Sequence, residues 1–324
     1  MTRSLVQFAN GSAPGVAVLQ ADGAFRVEGV STIVELAEKV AGKGGSLGQA
    51  AADRAGGRVD LHSCALLPVI GNDDPGRVLV SGTGLTHLGS AEGRDKMHKA
   101  AAAGQATDSM RMFLMGLEGG KPAPGEVGAQ PEWFYKGDGS ILVGPDDELA
   151  MPGFAEDGGE EPEIAGIYLI APDGTPLRLG FALGNEFSDH VVERQNYLWL
   201  AHSKLRPAAL GAELLLGSLP DDVSGTSRIR RGNETLWEKP FKSGEANMSH
   251  SIANLEHHHF KNPAFRRPGT IHVHFFGTAT LSFSDAIETR VGDVFEIEAD
   301  AFRLPLRNRL SRRSAEGCAT VTPL

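Results

Sequence analysis

The run Glu160-Glu161-Pro162-Glu163 passes without a break into the apolar segment Ile164-Ala165-Gly166-Ile167-Tyr168-Leu169-Ile170. Residues two apart in a strand point to the same face, so a strand here sets the carboxylates of Glu161 and Glu163 side by side. Two like charges that close resist joint ionisation unless a cation lies between them. Oxygen-only ligands of this kind suit a hard divalent ion, Mg²⁺ first, with Mn²⁺ or Ca²⁺ also accommodated. The plainer alternative is an acidic loop entering a strand.

Composition narrows the function classes. The chain has 324 residues, 41% of them hydrophobic, which is ample for a proper core. Its formal charge of -10 argues against a general nucleic-acid binder, because phosphate affinity comes from clustered Lys and Arg. An anionic substrate must therefore meet a local cationic group or a metal. Cys64 and Cys318 stand far apart with no metal-like spacing, as in a reduced cytosolic setting. The stretch Met1-Thr2-Arg3-Ser4-Leu5-Val6 lacks the apolar core of a signal peptide. No apolar run reaches the length of a membrane span. The expectation is a cytoplasmic protein with neither nucleic acid nor membrane as partner.

Short strands dominate the pattern. Residues 5–8, 15–19 and 25–28 read as strands, the last two joined by the turn Ala21-Asp22-Gly23. Thr32 and Glu35 form a capping box for a helix that stops at Gly42. An Ala-rich helix over 46–54 ends at Gly56-Gly57. This unit, residues 1–62, is expected to be an accessory α+β domain, with 63–324 the catalytic domain. There, strands are expected near 77–82, 140–144, 177–183, 212–216, 227–230, 235–237, 270–276 and 293–298. Helices are expected at about 93–117, 189–200 and 248–258. Many strands with few helices indicate a β-rich α+β fold, not a doubly wound sheet.

Pro131-Glu132-Trp133-Phe134-Tyr135-Lys136 with Ser140-Ile141-Leu142-Val143-Gly144, the Glu161/Glu163 pair, Asn185-Glu186-Phe187-Ser188, and Gly292-Asp293-Val294-Phe295-Glu296-Ile297-Glu298 with Leu306-Arg307-Asn308-Arg309 form a set of motifs. Together they resemble the fumarylacetoacetate hydrolase superfamily. The likeness covers roughly residues 65–312. It implies a mixed β-sheet roll or barrel as the C-terminal body, assembled as a homodimer or homotetramer. It also implies Mg²⁺, or Mn²⁺, held by Glu161, Glu163 and Glu186. Glu186 is a departure, since the family more often has Asp there.

The same resemblance suggests two activities. Glu132 and Lys204 look like the acid/base pair of the superfamily's sugar-acid dehydratases, which act on 2-keto-3-deoxy acids such as 2-keto-3-deoxyarabinonate in non-phosphorylative pentose catabolism. The product would be 2-oxoglutarate semialdehyde. Ser90, Arg94, Lys136, Asn247, Ser249 and Thr278 are the candidates for holding the substrate. The alternative is a hydrolase cleaving a 2,4-diketo-3-deoxy acid to pyruvate and a second acid. That reaction would need His87 and Glu92 to activate water, and their spacing departs from the family's tight His-x-x-Glu. A non-enzymatic metal-binding or scaffold protein is the third class.

The dehydration is chemically coherent. A 2-keto acid can chelate one octahedral cation through its carboxylate and keto oxygens, and the cation polarises the ketone. A base is then needed at C3 and an acid at the departing hydroxyl. Lys204 is assigned as the base, provided burial or a nearby cation lowers its pKa. Glu132 is the acid, and the two roles are exchangeable.

Other candidates point elsewhere. Glu256-His257-His258-His259 invites a zinc reading, but adjacent helical histidines diverge, and structural roles suit them better. His272 and His274 share a strand face and read as core histidines before pocket ones. Gly82-Thr83-Gly84 lacks the Lys-Ser/Thr of a phosphate loop. Ser188 with His190 lacks a nucleophile elbow.

Overall fold

In a computed structural model, residues 4–41, 43–71, 74–90, 107–315 and 317–324 are described. Among the described residues, thirteen strands form one mixed sheet and five form a second. The fold is β-rich α+β, as the strand pattern indicates. Among the described residues, no helix is long and apolar enough to cross a membrane.

The acidic-to-apolar run becomes the strand Pro162–Ile170, and all nine of its residues are buried. A strand covered on both faces reads as a continuous apolar run, and Pro162 stands at its first position, where a missing N–H is tolerated. On one side it pairs antiparallel with Pro176–Asn185, placing Glu163 opposite Gly184. On the other it pairs with Ile271–Phe275. Beyond that lies Val78–Gly84, parallel to Ile271–Phe275, and then Glu132–Asp138, with Glu132 opposite Gly84. The segments that carry the candidate chemistry therefore converge at one end of neighbouring strands.

The N-terminal hairpins follow their turn chemistry. Gly23 takes φ +151° where the strand Ala13–Gln20 turns into Gly23–Val27. Thr32 Oγ1 accepts from the Glu35 N–H at 3.0 Å and caps the helix Ile33–Val40. The strand Ser4–Asn10 is hydrogen-bonded to Glu213–Leu215. These N-terminal strands thus extend the same sheet that carries Glu163.

Three element assignments are corrected, and a fourth is met over its described part. The helix over 46–54 is shorter, Leu47–Ala52, because Ala55–Val59, with both glycines, pairs as a strand. The expected helix 189–200 breaks into His190–Gln195 and Leu200–Lys204 around a 3₁₀ turn, Tyr197–Trp199. Asn196 breaks it, with an extended backbone and a side chain that caps Leu198 N. The helix expected near 93–117 is seen as Asp108–Gly119, its first part lying outside the described residues. Finally, Leu306–Arg312 is a full strand of the second sheet.

Candidate metal centre and cleft

Glu161 and Glu163 project from the start of the Pro162–Ile170 strand, and Glu186 follows directly on its hairpin partner Pro176–Asn185. The Glu186 N–H donates to Glu161 O at 3.0 Å, which locks the two chain segments together. Each carboxylate offers one oxygen, and these three oxygens all lie within 4.8 Å of one another. All three residues are buried.

Two buried lysines enter this cluster. Lys136, at 0% exposure, places Nζ 2.5 Å from Glu186 Oε1 and donates to the carbonyls of Phe187 and Lys204. Lys204 Nζ donates to Glu186 Oε2 at 2.6 Å and to Glu161 Oε1. It also sits 5.0 Å from the centroid of the Phe134 ring. Among the described residues, no lysine forms an ion pair with Glu163, although the Lys204 charge acts on it. Glu163 Oε2 accepts from the backbone N–H of Gly277 at 2.7 Å.

The protonation pattern follows from this division. Burial pushes the Glu163 carboxyl well above its ordinary range, and the charges of Glu186 and Glu161 push it further. Burial also raises Glu186, against the pull of Lys136 and Lys204. Glu161 goes the other way, because Lys204 and His190 outweigh its burial. For Lys204, burial favours the neutral amine, but Glu161 and Glu186 overcome it and hold the ammonium. The expected lowering of Lys204 is thus reversed, and the lysine that burial does lower is Lys136.

Three oxygen donors with one carboxylate short of positive charge form a set that a hard divalent cation completes. The donors fit such an ion. Glu186, one methylene longer than Asp, still reaches the cluster.

The cleft above this cluster is lined by Thr83, Gly84, Leu85, Ser90, Phe134, Glu161, Glu163, His190, Glu193, Lys204, Gly277, Thr278 and Leu281. Leu85 holds a left-handed φ of 57° at its wall, the kind of strained backbone that gathers at functional sites. Of the expected substrate contacts, Ser90 and Thr278 line the cleft. Lys136 lies beneath it, on Glu186. Glu132 shares a strand face with Phe134 and Lys136 and accepts a hydrogen bond from the Tyr197 hydroxyl. Arg94 and Glu92 lie outside the described residues.

Asn247 and Ser249 are not among the cleft-lining residues. Asn247 Nδ2 donates to Asp222 Oδ1 and Ser243 O, both at 2.8 Å, and Ser249 Oγ donates to Thr86 O at 3.1 Å. Together they brace the 85–88 loop. His87 is buried, with its ring nitrogens 3.1 Å from Thr86 Oγ1 and 3.0 Å from Ser243 Oγ. Burial lowers its pKa to about 3.

Four other histidines, His258, His259, His272 and His274, make structural contacts. Trp133 Nε1 can only donate, so His259 Nδ1 accepts at 3.1 Å, and His259 Nε2 then donates to His272 Nδ1 at 2.9 Å. His274 Nδ1 pairs with Ser81 Oγ at 2.8 Å. His258 Nε2 donates to Gly128 O at 3.0 Å.

The sequence reading missed two residues of the cleft wall, His190 and Glu193. His190 Nε2 lies 3.1 Å from Glu161 Oε1, and Nδ1 lies 3.5 Å from Asp157 Oδ2. Burial opposes a charged imidazole here, yet Asp157 and Glu161 push its pKa up to about 10. The available signal was its place on the turn after Glu186, which was weighed only against a serine nucleophile.

No family model and no curated protein matches the sequence. Solved structures do match its fold. A 2-keto-3-deoxy-D-arabinonate dehydratase complexed with magnesium and 2,5-dioxopentanoate superposes with a TM-score of 0.69 at 16% identity, covering 96% of this chain and 99% of that one. A 5-carboxymethyl-2-hydroxymuconate delta-isomerase from Mycobacterium smegmatis gives 0.58 at 16% identity, over 96% and 100% of the two chains. A fumarylacetoacetate hydrolase from psychrophilic Exiguobacterium antarcticum gives 0.60 at 15% identity, again over 96% and 100%. The chain therefore shares the fold of these three enzymes over nearly its whole length.

Proposed function

We propose that the chain is a divalent-cation-dependent dehydratase of a 2-keto-3-deoxy sugar acid, a 2-keto-3-deoxypentonate such as the arabinonate. The observation that carries this reading is the buried Glu161/Glu163/Glu186 triad with Lys204 reaching into it at the floor of a cleft. The dehydratase among the fold neighbours is described with magnesium and 2,5-dioxopentanoate, and both fit the donor set and the chemistry assigned here.

Glu161, Glu163 and Glu186 would hold the cation, with Mg²⁺ the first choice and Mn²⁺ the second. When bound, it polarises the C2 ketone and offsets the charge that builds up as C3 loses its proton. The proton transfers fall to Lys204 and Glu132: one takes the C3 proton, the other donates to the departing hydroxyl, and one water leaves. Phe134, two residues beyond Glu132 on the same strand, packs under the Lys204 ammonium. Ser90 and Thr278 supply hydroxyls for the polyol end of the substrate.

A carbon–carbon hydrolase needs a histidine free to activate water. His87 is engaged by Thr86 and Ser243. The cleft does contain a histidine and a glutamate three apart, His190 and Glu193, but His190 directs its two ring nitrogens at Asp157 and Glu161. Product analysis tests the choice. Incubation with a 2-keto-3-deoxypentonate and Mg²⁺ should yield a 2-oxoacid semialdehyde and no pyruvate. Pyruvate released from a 2,4-diketo acid, without dehydration of the pentonate, would instead identify the hydrolase.

A further inference from the structure

His190 is fixed from four directions. Asp189 caps its helix through Val192 N at 3.1 Å, and the same carboxylate accepts from Arg206 Nη2 at 2.8 Å and from Glu156 N at 2.9 Å. The start of this six-residue helix is thereby tied to two other segments of the chain. The imidazole stacks on Phe283, with ring centroids 5.2 Å apart and planes at 26°. Its other flank is the backbone of Gly159, where any Cβ would strike Nδ1 of the ring. Asp157 Oδ2 stands 3.5 Å from that nitrogen.

The remaining ring nitrogen, Nε2, meets Glu161 Oε1 at 3.1 Å. Lys204 Nζ donates to the same oxygen. Two donors converging on Oε1 set the carboxylate plane and leave Oε2 as the ligand atom. We propose that His190 is a positioning residue of the metal centre: anchored by Asp157 and Phe283, it orients Glu161 so that Oε2 is presented to the cation. This inference rests on the reading of Glu161, Glu163 and Glu186 as metal ligands. It separates His190 from catalysis proper, since its effect on the reaction passes through Glu161. It also gives Gly159 a reason, because a side chain there would displace the ring.

Outer partners of metal ligands are commonly worth about 10–100-fold in metal affinity. Calorimetric titration of the full chain with Mn²⁺ alone, without substrate, gives a readout independent of turnover. His190→Ala is expected to weaken Mn²⁺ binding by about 10–100-fold while the thermal melt of the metal-free protein stays cooperative. His190→Gln, whose amide N–H can reach Glu161, should recover most of that loss. Asp157→Asn, nearly isosteric, should weaken binding at the low end of the same range, and it tests the inference even if His190→Ala fails to fold. Unchanged Mn²⁺ affinity in folded His190→Ala, or in Asp157→Asn if His190→Ala does not fold, would overturn the inference while leaving the metal centre intact. Absence of Mn²⁺ binding by the unaltered protein would overturn both.

Discussion

Lys204 Nζ lies 2.6 Å from Glu186 Oε2, and both side chains are almost wholly buried. A buried pair of this kind is costly to break, about 3–5 kcal/mol when one partner is removed, because the other charge is left uncompensated. Lys204→Met should therefore destabilise the metal-free protein by that order. Added Mg²⁺ should restore much of the loss, since the cation takes over the charge balance. Turnover should remain down by about 10²–10⁴ with metal binding retained. Thermal melts with and without Mg²⁺, beside a steady-state assay, check both halves. Undiminished activity would remove the lysine from the mechanism.

Glu161→Gln should behave differently. It removes a ligand charge and leaves His190 and Lys204 aimed at a neutral amide. Metal binding and turnover are expected to fall together below detection in a calorimetric Mg²⁺ titration and a dehydration assay. A variant that lost turnover but bound Mg²⁺ normally would place Glu161 outside the ligand set.

Gly277 takes φ +94°, and a Cβ there would come 2.5 Å from Thr86 Oγ1 and 2.8 Å from Thr83 O. Its N–H is also the donor that holds Glu163 Oε2. Gly277→Ala should cost about 1–3 kcal/mol of stability and weaken metal affinity, as Glu163 loses its anchor. Denaturant unfolding and metal titration of the same preparation test this; an unaltered metal affinity would show that Glu163 is placed by other contacts.

Acid should destabilise the fold through its histidines. Burial lowers His87 and His274 to about 3, and His272 and His250 to about 4, from the ordinary 6.5. Below pH 6.5 the unfolded chain binds protons that the folded chain refuses, so this stability is full above 6.5 and is lost as pH falls toward 4. Glu160, which burial pushes up to about 7, acts in the opposite sense, as do Glu163, Glu186 and His190, but the lowered histidines, His258 and His259 among them, outnumber these four groups. Each net proton contributes about 1.4 kcal/mol per pH unit. Denaturant midpoints measured at pH 7, 6 and 5 should decline steadily. A flat profile would mean these rings are already protonated in the native state.

The sequence made the carboxylate triad readable because alternation along a strand is a local rule: Glu161 and Glu163 must share a face once Ile164 to Ile170 form a strand. Glu186 was readable through its motif. The state of Lys204 was not, because it depends on carboxylates 18 and 43 positions away that outweigh the burial sequence reasoning could anticipate. His190 was hidden for a similar reason. Its partner Glu161 is 29 residues distant, and no spacing rule joins a helix start to a strand start. The break at Asn196 escaped because a polar residue inside a helical pattern is ordinary until its side chain is seen to cap the next turn. His272 and His274 followed the expectation for core histidines, each with a polar partner.

The central claim is that three acidic side chains share one hard cation. Crystals grown with Mn²⁺ and measured for anomalous scattering address it directly. The account predicts a single strong peak per chain, bounded by oxygens of Glu161, Glu163 and Glu186. A peak elsewhere, or none at saturating Mn²⁺, would contradict it.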